Sequence, residues 1–219
     1  MIIQCQKTYC YAAAMLLLAF AFTQALQAEQ IQASKVQGLV SRADVAGLRA
    51  LGPGVLPVLA KLYEAGDENQ RASIAQYFYQ LGWTSPEAKR ALMKDVHTQN
   101  QNLRLQVQWA LGRVSGDLDV VEVLLNNMKA DLNPLFRDKA ACALANDQIH
   151  LTERQKARLF QGLIEALGDP KPDVRRIALQ ALSIQTGQTK GFNPNGSPSE
   201  RQAQMLVWKK WLEEYQSNL

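Results

Sequence analysis

The stretch DPKPDVRRIALQAL, which begins at Asp169, has an ungapped echo 38 residues earlier in DLNPLFRDKAACAL, from Asp131. Across that offset Asp169, Pro172, Val174, Arg175, Ala178, Ala181 and Leu182 pair with Asp131, Pro134, Phe136, Arg137, Ala140, Ala143 and Leu144. A third copy, TQNQNLRLQVQWAL, starts 33 residues before that at Thr98 and puts Leu103, Arg104, Val107, Ala110 and Leu111 in the same places. One further step back, GDENQRASIAQYF supplies Arg71 and Ile74, with a turn that aligns less well. Self-similarity of this kind restricts the chain severely. Each unit is too small to bury its apolar face alone, so the units must stack on one another.

Every copy follows one plan. A first helix precedes it, as in PGVLPVLAKLYEAG (53–66) or RLFQGLIEALG (158–168), where Leu159, Leu163, Ile164 and Leu167 recur at helical spacing and form one apolar stripe. A short turn follows, and the second helix opens with Pro172 or Pro134, where the missing N–H costs nothing. Alanines at 178 and 181, and at 140 and 143, allow neighbouring helices to approach closely. No strand-like alternation of four or more residues occurs, and aromatics are only 7% of a chain rich in Ala, Leu and Gln. The expected fold is therefore all-α, a row of helical hairpins.

The segment LIEALGDPKPDVRRIALQAL resembles the HEAT repeats in its leucine-rich first helix, Asp-Pro turn, Val-Arg pair and Ala-Leu second helix. LRALGPGVLPVLAKL (48–62) looks like the HEAT-type step from one hairpin to the next, and the resemblance covers roughly residues 42 to 187. It implies a right-handed α-α superhelix, a solenoid of four to five hairpins over residues 29–187. It also implies a ladder in which Asp169 and Asp131 bond to arginines at the Arg175 and Arg137 positions of adjacent repeats. Thr98 replaces the aspartate in the second copy and Asn102 sits near where others have proline, so the chain departs from the ladder pattern between copies one and three.

Residues 188–219 break the repeat. Gly187, Gly191, Pro194 and Gly196 mark a loop with tight turns. SPSE at 197–200 then reads as a helix start, with Ser197 as cap, Pro198 as first helical residue and Glu200 closing the box. In the helix beyond, Ala203, Val207, Trp208, Trp211, Leu212 and Tyr215 are placed on one side, and Lys209, Lys210, Glu213 and Glu214 on the other. The end of a solenoid exposes apolar surface, so this helix is expected to cap it. A loop followed by a tryptophan-rich helix is similar to the tail of some bacterial exported HEAT-repeat proteins.

The other end carries an address. One early cation, Lys7, precedes an apolar run from Tyr11 to Phe22 and small residues at Thr23, Ala25 and Ala28. Residues 1–28 read as a secretory signal peptide cut after Ala25 or Ala28, which places the chain in the periplasm or outside the cell. The alternative is an uncleaved membrane anchor. Cys5 and Cys10 leave with the signal, so Cys142 has no internal disulfide partner and reads, within KAACALA, as a small apolar residue.

Chemistry is harder to find. The chain holds only two histidines, His97 and His150, neither with a carboxylate or cysteine at metal-ligand spacing. HExxH, CxxC, GxSxG and a glycine-rich phosphate loop do not occur. No catalytic, cofactor or metal residue is named, and the chain is expected to be non-enzymatic, with an unrecognised lyase or hydrolase as the remote alternative. The net charge of +4 is spread among interspersed signs, not gathered into a stripe that could neutralise several phosphates, so no nucleic acid is expected. The expected partner is a protein or peptide on the concave face lined by second helices, bound by a monomer acting as scaffold or adaptor. Registering those helices on Arg176 and Gln180 gives the outward positions as Gln76 and Tyr79, Leu105 and Trp109, and Asp138 with Cys142. A tethered accessory subunit of an envelope complex is the second reading, and it alone involves the membrane.

Overall fold

A computed structural model describes residues 32–219, so the signal-peptide segment 1–28 lies outside the described residues. The chain divides into two compact units, Met1–Val58 and Leu59–Leu219. Among the described residues every regular element is helical and no strand occurs.

The described part of the first unit holds α1 (32–41), α2 (Val45–Ala50), a 3-10 turn (Pro53–Val55) and the start of α3 (Leu56–Ala65). Asp44 caps α2, its Oδ1 accepting from the Gly47 N–H at 2.8 Å. Gly52 enters the 3-10 turn at φ 75°, a left-handed conformation that glycine adopts without strain. Val36, Leu48 and Val55 are fully buried.

The second unit continues α3 and adds α4 (Glu68–Leu81), α5 (Pro86–Lys94), α6 (Gln101–Val114) and α7 (Leu118–Ala130). It is completed by α8 (Pro134–Asn146), α9 (Glu153–Ala166), α10 (Pro172–Thr186) and α11 (Pro198–Ser217). Helix starts are set locally. Proline is the first residue of α5, α8, α10 and α11. Reciprocal capping boxes open α4 (Asp67 with Gln70), α9 (Thr152 with Gln155) and α11 (Ser197 with Glu200), the last as SPSE predicts. The packing follows two interleaved series. Helices α4, α6, α8 and α10 each pack on the next, as do α7, α9 and α11, and α5, α7 and α9 pair with α6, α8 and α10 as hairpins. The repeat alanines 140, 143, 178 and 181 are all buried between these helices. Ion pairs Glu64–Lys94 (2.5 Å), Lys89–Asp117 (2.6 Å) and Arg158–Glu122 (2.7 Å) link α3 to α5, α5 to the start of α7, and α7 to α9. Each has at least one partner well exposed to solvent, so each contributes only about 0–1 kcal/mol.

The turns between paired helices hold the repeat's charges. Asp131 Oδ1 accepts from the Asn133 N–H at 2.9 Å, and Asp169 Oδ1 from the Lys171 N–H at 2.8 Å. Thr98 Oγ1 does the same for Asn100 at 3.3 Å, so the threonine keeps the turn role of the aspartates it replaces. The arginines after the two aspartate turns are buried and tie those turns: Arg137 donates to the carbonyls of Asp131 and Leu132, and Arg175 to those of Asp169 and Pro170. The arginines of three successive copies also reach forward. Arg104 pairs with Asp131, Arg137 with Asp173 at 2.5 Å, and Arg175 donates to the Pro194 carbonyl at 2.7 Å. The ladder implied by resemblance is thus corrected at one rung. Arg137 takes Asp173, on the first turn of α10, while the Asp169 carboxylate serves its own turn. Between the first two copies Arg71 meets Asp95 at 3.5 Å, and Asp95 also accepts from the Tyr63 hydroxyl at 2.7 Å. Asp95, three residues before Thr98, provides the acid that Thr98 lacks.

Helix α11 rests on α9. Trp208 is fully buried, and Phe160 of α9 meets Trp211 and Tyr215 edge-on, both at 5.3 Å between ring centroids. Tyr215 also donates to Glu153 Oε2 at 2.6 Å. The side assigned to this helix from sequence needs one correction. Ala203 is exposed and Val207 is 51% exposed. At about 100° per residue, Val207 points a quarter-turn from Trp208 and Ala203 farther still, whereas Arg201, Gln204, Met205, Trp211, Leu212 and Tyr215 cluster around it.

Candidate functional site

The aromatic run QYFYQLGW lies on α4 and the loop beyond it, and a single helix cannot bury all its rings on one side. Phe78 and Tyr77 point into the core, while Tyr79 is only partly buried and Gln76 and Gln80 are exposed. One repeat along, α6 presents Gln106 and Trp109 on the same side, both partly buried. Helix α8 adds Cys142, Asn146 and Asp147. Together these eight residues of three successive second helices line a cleft of about 480 Å³. The size falls within the range that holds a small ligand or a short peptide segment.

The charges in and beneath this cleft are spent on each other. Arg113, one turn after Trp109, lays its guanidinium 4.5 Å from the Tyr79 ring centroid and donates from Nε to Asp147 Oδ1 at 3.0 Å. Its Nη2 also reaches the Tyr79 hydroxyl at 3.4 Å. Burial raises the Asp147 carboxyl above its ordinary range, opposed by the hydrogen bonds from Arg113 and Tyr79. His150 Nε2 stands 3.0 Å from the carbonyls of both Gly82 and Arg113. Both partners are acceptors, so this nitrogen carries a proton and donates to the two helix ends at once. That use is structural. The Cys142 thiol is pushed up by burial and by the nearby Asp138 carboxylate, which makes it a poor nucleophile.

Of the outward positions assigned from sequence, Gln76, Tyr79 and Trp109 share this cleft. Asp138 and Gln180 line a separate crevice of only about 10 Å³ between α8 and α10, with Cys142 contributing to both places. Leu105 is partly buried and Arg176 exposed, and neither borders the cleft or the crevice. Sequence reasoning passed over Gln80, Gln106, Asn146 and Asp147. Gln80 was recoverable, since it stands one turn after Gln76; Asn146 and Asp147 depend on where α8 ends, which repeat alignment does not fix.

A second cleft of about 420 Å³ opens at the turn edge, between the start of α6 and the α7–α8 turn, with His97, Gln101, Asn126 and Asn133 on its walls. Its charged members, Arg104 and Asp131, are already paired, and the Arg104 guanidinium lies 4.2 Å from the Phe136 ring. Among the described residues no group of three or more His, Cys, Asp or Glu side chains is arranged to hold a metal ion. No helix among them is long and apolar enough to cross a membrane. No protein-family model matches the chain, and no curated protein matches it.

Proposed function

We propose that this chain is a HEAT-type solenoid, a right-handed superhelix of stacked hairpins, that acts outside the cytoplasm as a non-enzymatic protein-interaction module. The observation that carries the reading is the α4–α6–α8 cleft. Tyr79 and Trp109, from consecutive repeats, both line it together with the amides of Gln76, Gln80, Gln106 and Asn146. Partly exposed aromatics held by a rigid frame are the residues that most often anchor a protein partner. The frame is supplied by helix-on-helix contacts running from α4 to α10, and Arg113 fixes the Tyr79 ring. In this reading α11 is the end cap, its tryptophans covering apolar surface of the last hairpin that a further repeat would otherwise cover.

The test is affinity capture of the exported protein after mild cross-linking, beside Tyr79→Ala, Trp109→Ala and, as a control far from the cleft, Lys210→Ala. Loss of one anchor is expected to cost about 2 kcal/mol, roughly thirtyfold in Kd, so both cleft variants should lose a partner that the control retains. Equal recovery of the same partners by all four proteins would remove the cleft from the proposal.

A further inference from the structure

We infer that the segment bound in the α4–α6–α8 cleft is an uncharged, extended stretch of polypeptide, held through its main chain and through one apolar or aromatic side chain. The inference rests on the interaction-module reading and adds the chemistry of the partner. Three features of the cleft carry it. The first is its lack of free charge. Asp147, the one charged side chain among the described residues that line it, is joined to Arg113, Nε to Oδ1 at 3.0 Å, and a charged ligand would have to break that pair or remain unpaired. The second is the amide lining. Gln76 on α4, Gln106 on α6 and Asn146 on α8 bring one carboxamide from each helix. A carboxamide offers one acceptor and a two-hydrogen donor, which is the complement of a peptide group; Asn146 Nδ2 already gives one hydrogen to the Cys142 carbonyl at 3.0 Å, which leaves its other hydrogen and its oxygen. The third is the pair of rings, Tyr79 and Trp109, which give an apolar side chain a surface between the amides.

The dimensions agree. Neighbouring helix axes stand about 8–10 Å apart, so amides on three successive helices span about 16–20 Å. An extended chain advances about 3.4 Å per residue, so that span is matched by roughly five or six residues. A segment of that length, with an apolar side chain near its middle, satisfies all three features. A strongly acidic or basic segment finds no counter-charge in the cleft.

The probes are synthetic peptides of about ten residues built from Ser, Thr, Asn and Gln around a central Leu or Phe. Three variants accompany them: one with Glu in place of the polar residues, one with Lys, and one N-methylated at alternate main-chain nitrogens. Binding to the full-length chain is followed by calorimetry. The neutral peptides are expected to bind best and to keep their Kd within about twofold between about 0.1 and 1 M salt, across which the screening length falls from about 10 to 3 Å. N-methylation and Trp109→Ala are each expected to weaken binding at least about tenfold, as losses of about 1.4 kcal/mol or more, while Lys210→Ala leaves it unchanged. Failure of every neutral peptide to bind, equal binding of the N-methylated peptide, or preference for a charged one overturns the inference. So does binding of a neutral oligosaccharide in place of the peptides. These outcomes separate from failure of the parent reading: a partner cross-linked at the cleft that binds through a charged or folded surface sinks only the inference, whereas capture insensitive to Tyr79 and Trp109 sinks both.

Discussion

Gly112 lies inside α6, where alanine would be the better helix former by about 0.8–1.0 kcal/mol. The structure nonetheless opposes the exchange. A Cβ at this position would stand 2.3 Å from Gln148 Nε2, 2.6 Å from the Asp147 carbonyl oxygen and 2.9 Å from its carbon. The Gln148 amide could turn away, giving up its 3.2 Å bond to the Ala143 carbonyl. The Asp147 carbonyl cannot turn, because it belongs to the backbone, accepts from the Ile149 N–H at 2.9 Å, and ends a helix whose carboxylate is held by Arg113. Ordinary contact begins near 3.5 Å, so the α8 terminus must retreat by close to 1 Å. Overpacking of this kind costs about 1–3 kcal/mol, and the lost Gln148 bond about 0.5–1.5 more. Against the propensity gain, Gly112→Ala is expected to lose about 1–3 kcal/mol net, roughly 2–12 °C in Tm for a chain of this size. Gly38→Ala in α1 isolates the propensity effect, since among the described residues its Cβ meets only Arg42 Nη1, at 3.5 Å, and it should stabilise by about 0.5–1 kcal/mol. Urea titration followed by far-UV circular dichroism measures both. If Gly112→Ala equals or exceeds the wild type, or moves with Gly38→Ala, the close approach of α6 to the end of α8 is not what keeps glycine there.

Removing Arg104 strands the buried Asp131 carboxylate, so Arg104→Met should cost about 3–5 kcal/mol; adding Asp131→Asn, which keeps the turn acceptor for Asn133, should recover much of it in a denaturant titration. The Tyr63 hydroxyl is raised above its ordinary value near 10, first by burial and then by its bond to Asp95. The fold therefore favours the protonated phenol. Its contribution is complete below about pH 10 and is lost above it, at up to about 1.4 kcal/mol per pH unit. Stability measured against pH should fall in that window, with a shallower slope for Tyr63→Phe; an unchanged slope refutes the assignment. Trp208→Ala should lose about 3–5 kcal/mol, whereas Val207→Asp, one residue away on the exposed side, should change stability by less than about 0.5 kcal/mol in the same titration.

Helix positions were legible in this sequence because they are announced locally. Pro134, Pro172 and the Ser197–Glu200 box each set a start within one turn of chain, and the alanines at 140, 143, 178 and 181 declare the buried side of two helices. The cleft was legible in part for the same reason: Gln76, Tyr79 and Trp109 follow from repeat position alone. What escaped depends on distances between elements. No spacing rule connects Arg137 to Asp173 instead of Asp169; that choice depends on how α8 and α10 pack on each other. Nor does the sequence of α8 say that its last turn brings Asn146 and Asp147 beside Trp109. On α11 the error was one of angle. Val207 and Trp208 are neighbours in sequence, and only the packing of α11 on α9 decides which of the two is covered.

The arginine rungs also bear on how such a chain can be lengthened or cut. A repeat that bonded only to itself could be duplicated, excised or exchanged like a bead. Here each guanidinium reaches into the segment that follows, and the acceptor there differs every time: Asp95 at a helix end for Arg71, Asp131 in a turn for Arg104, Asp173 inside a first turn for Arg137, and the bare carbonyl of Pro194 for Arg175. Each hairpin is thereby keyed to one successor. Transposing two of them would keep every helix and still leave a buried cation facing the wrong neighbour, so the order of the hairpins is written into the molecule as firmly as their fold.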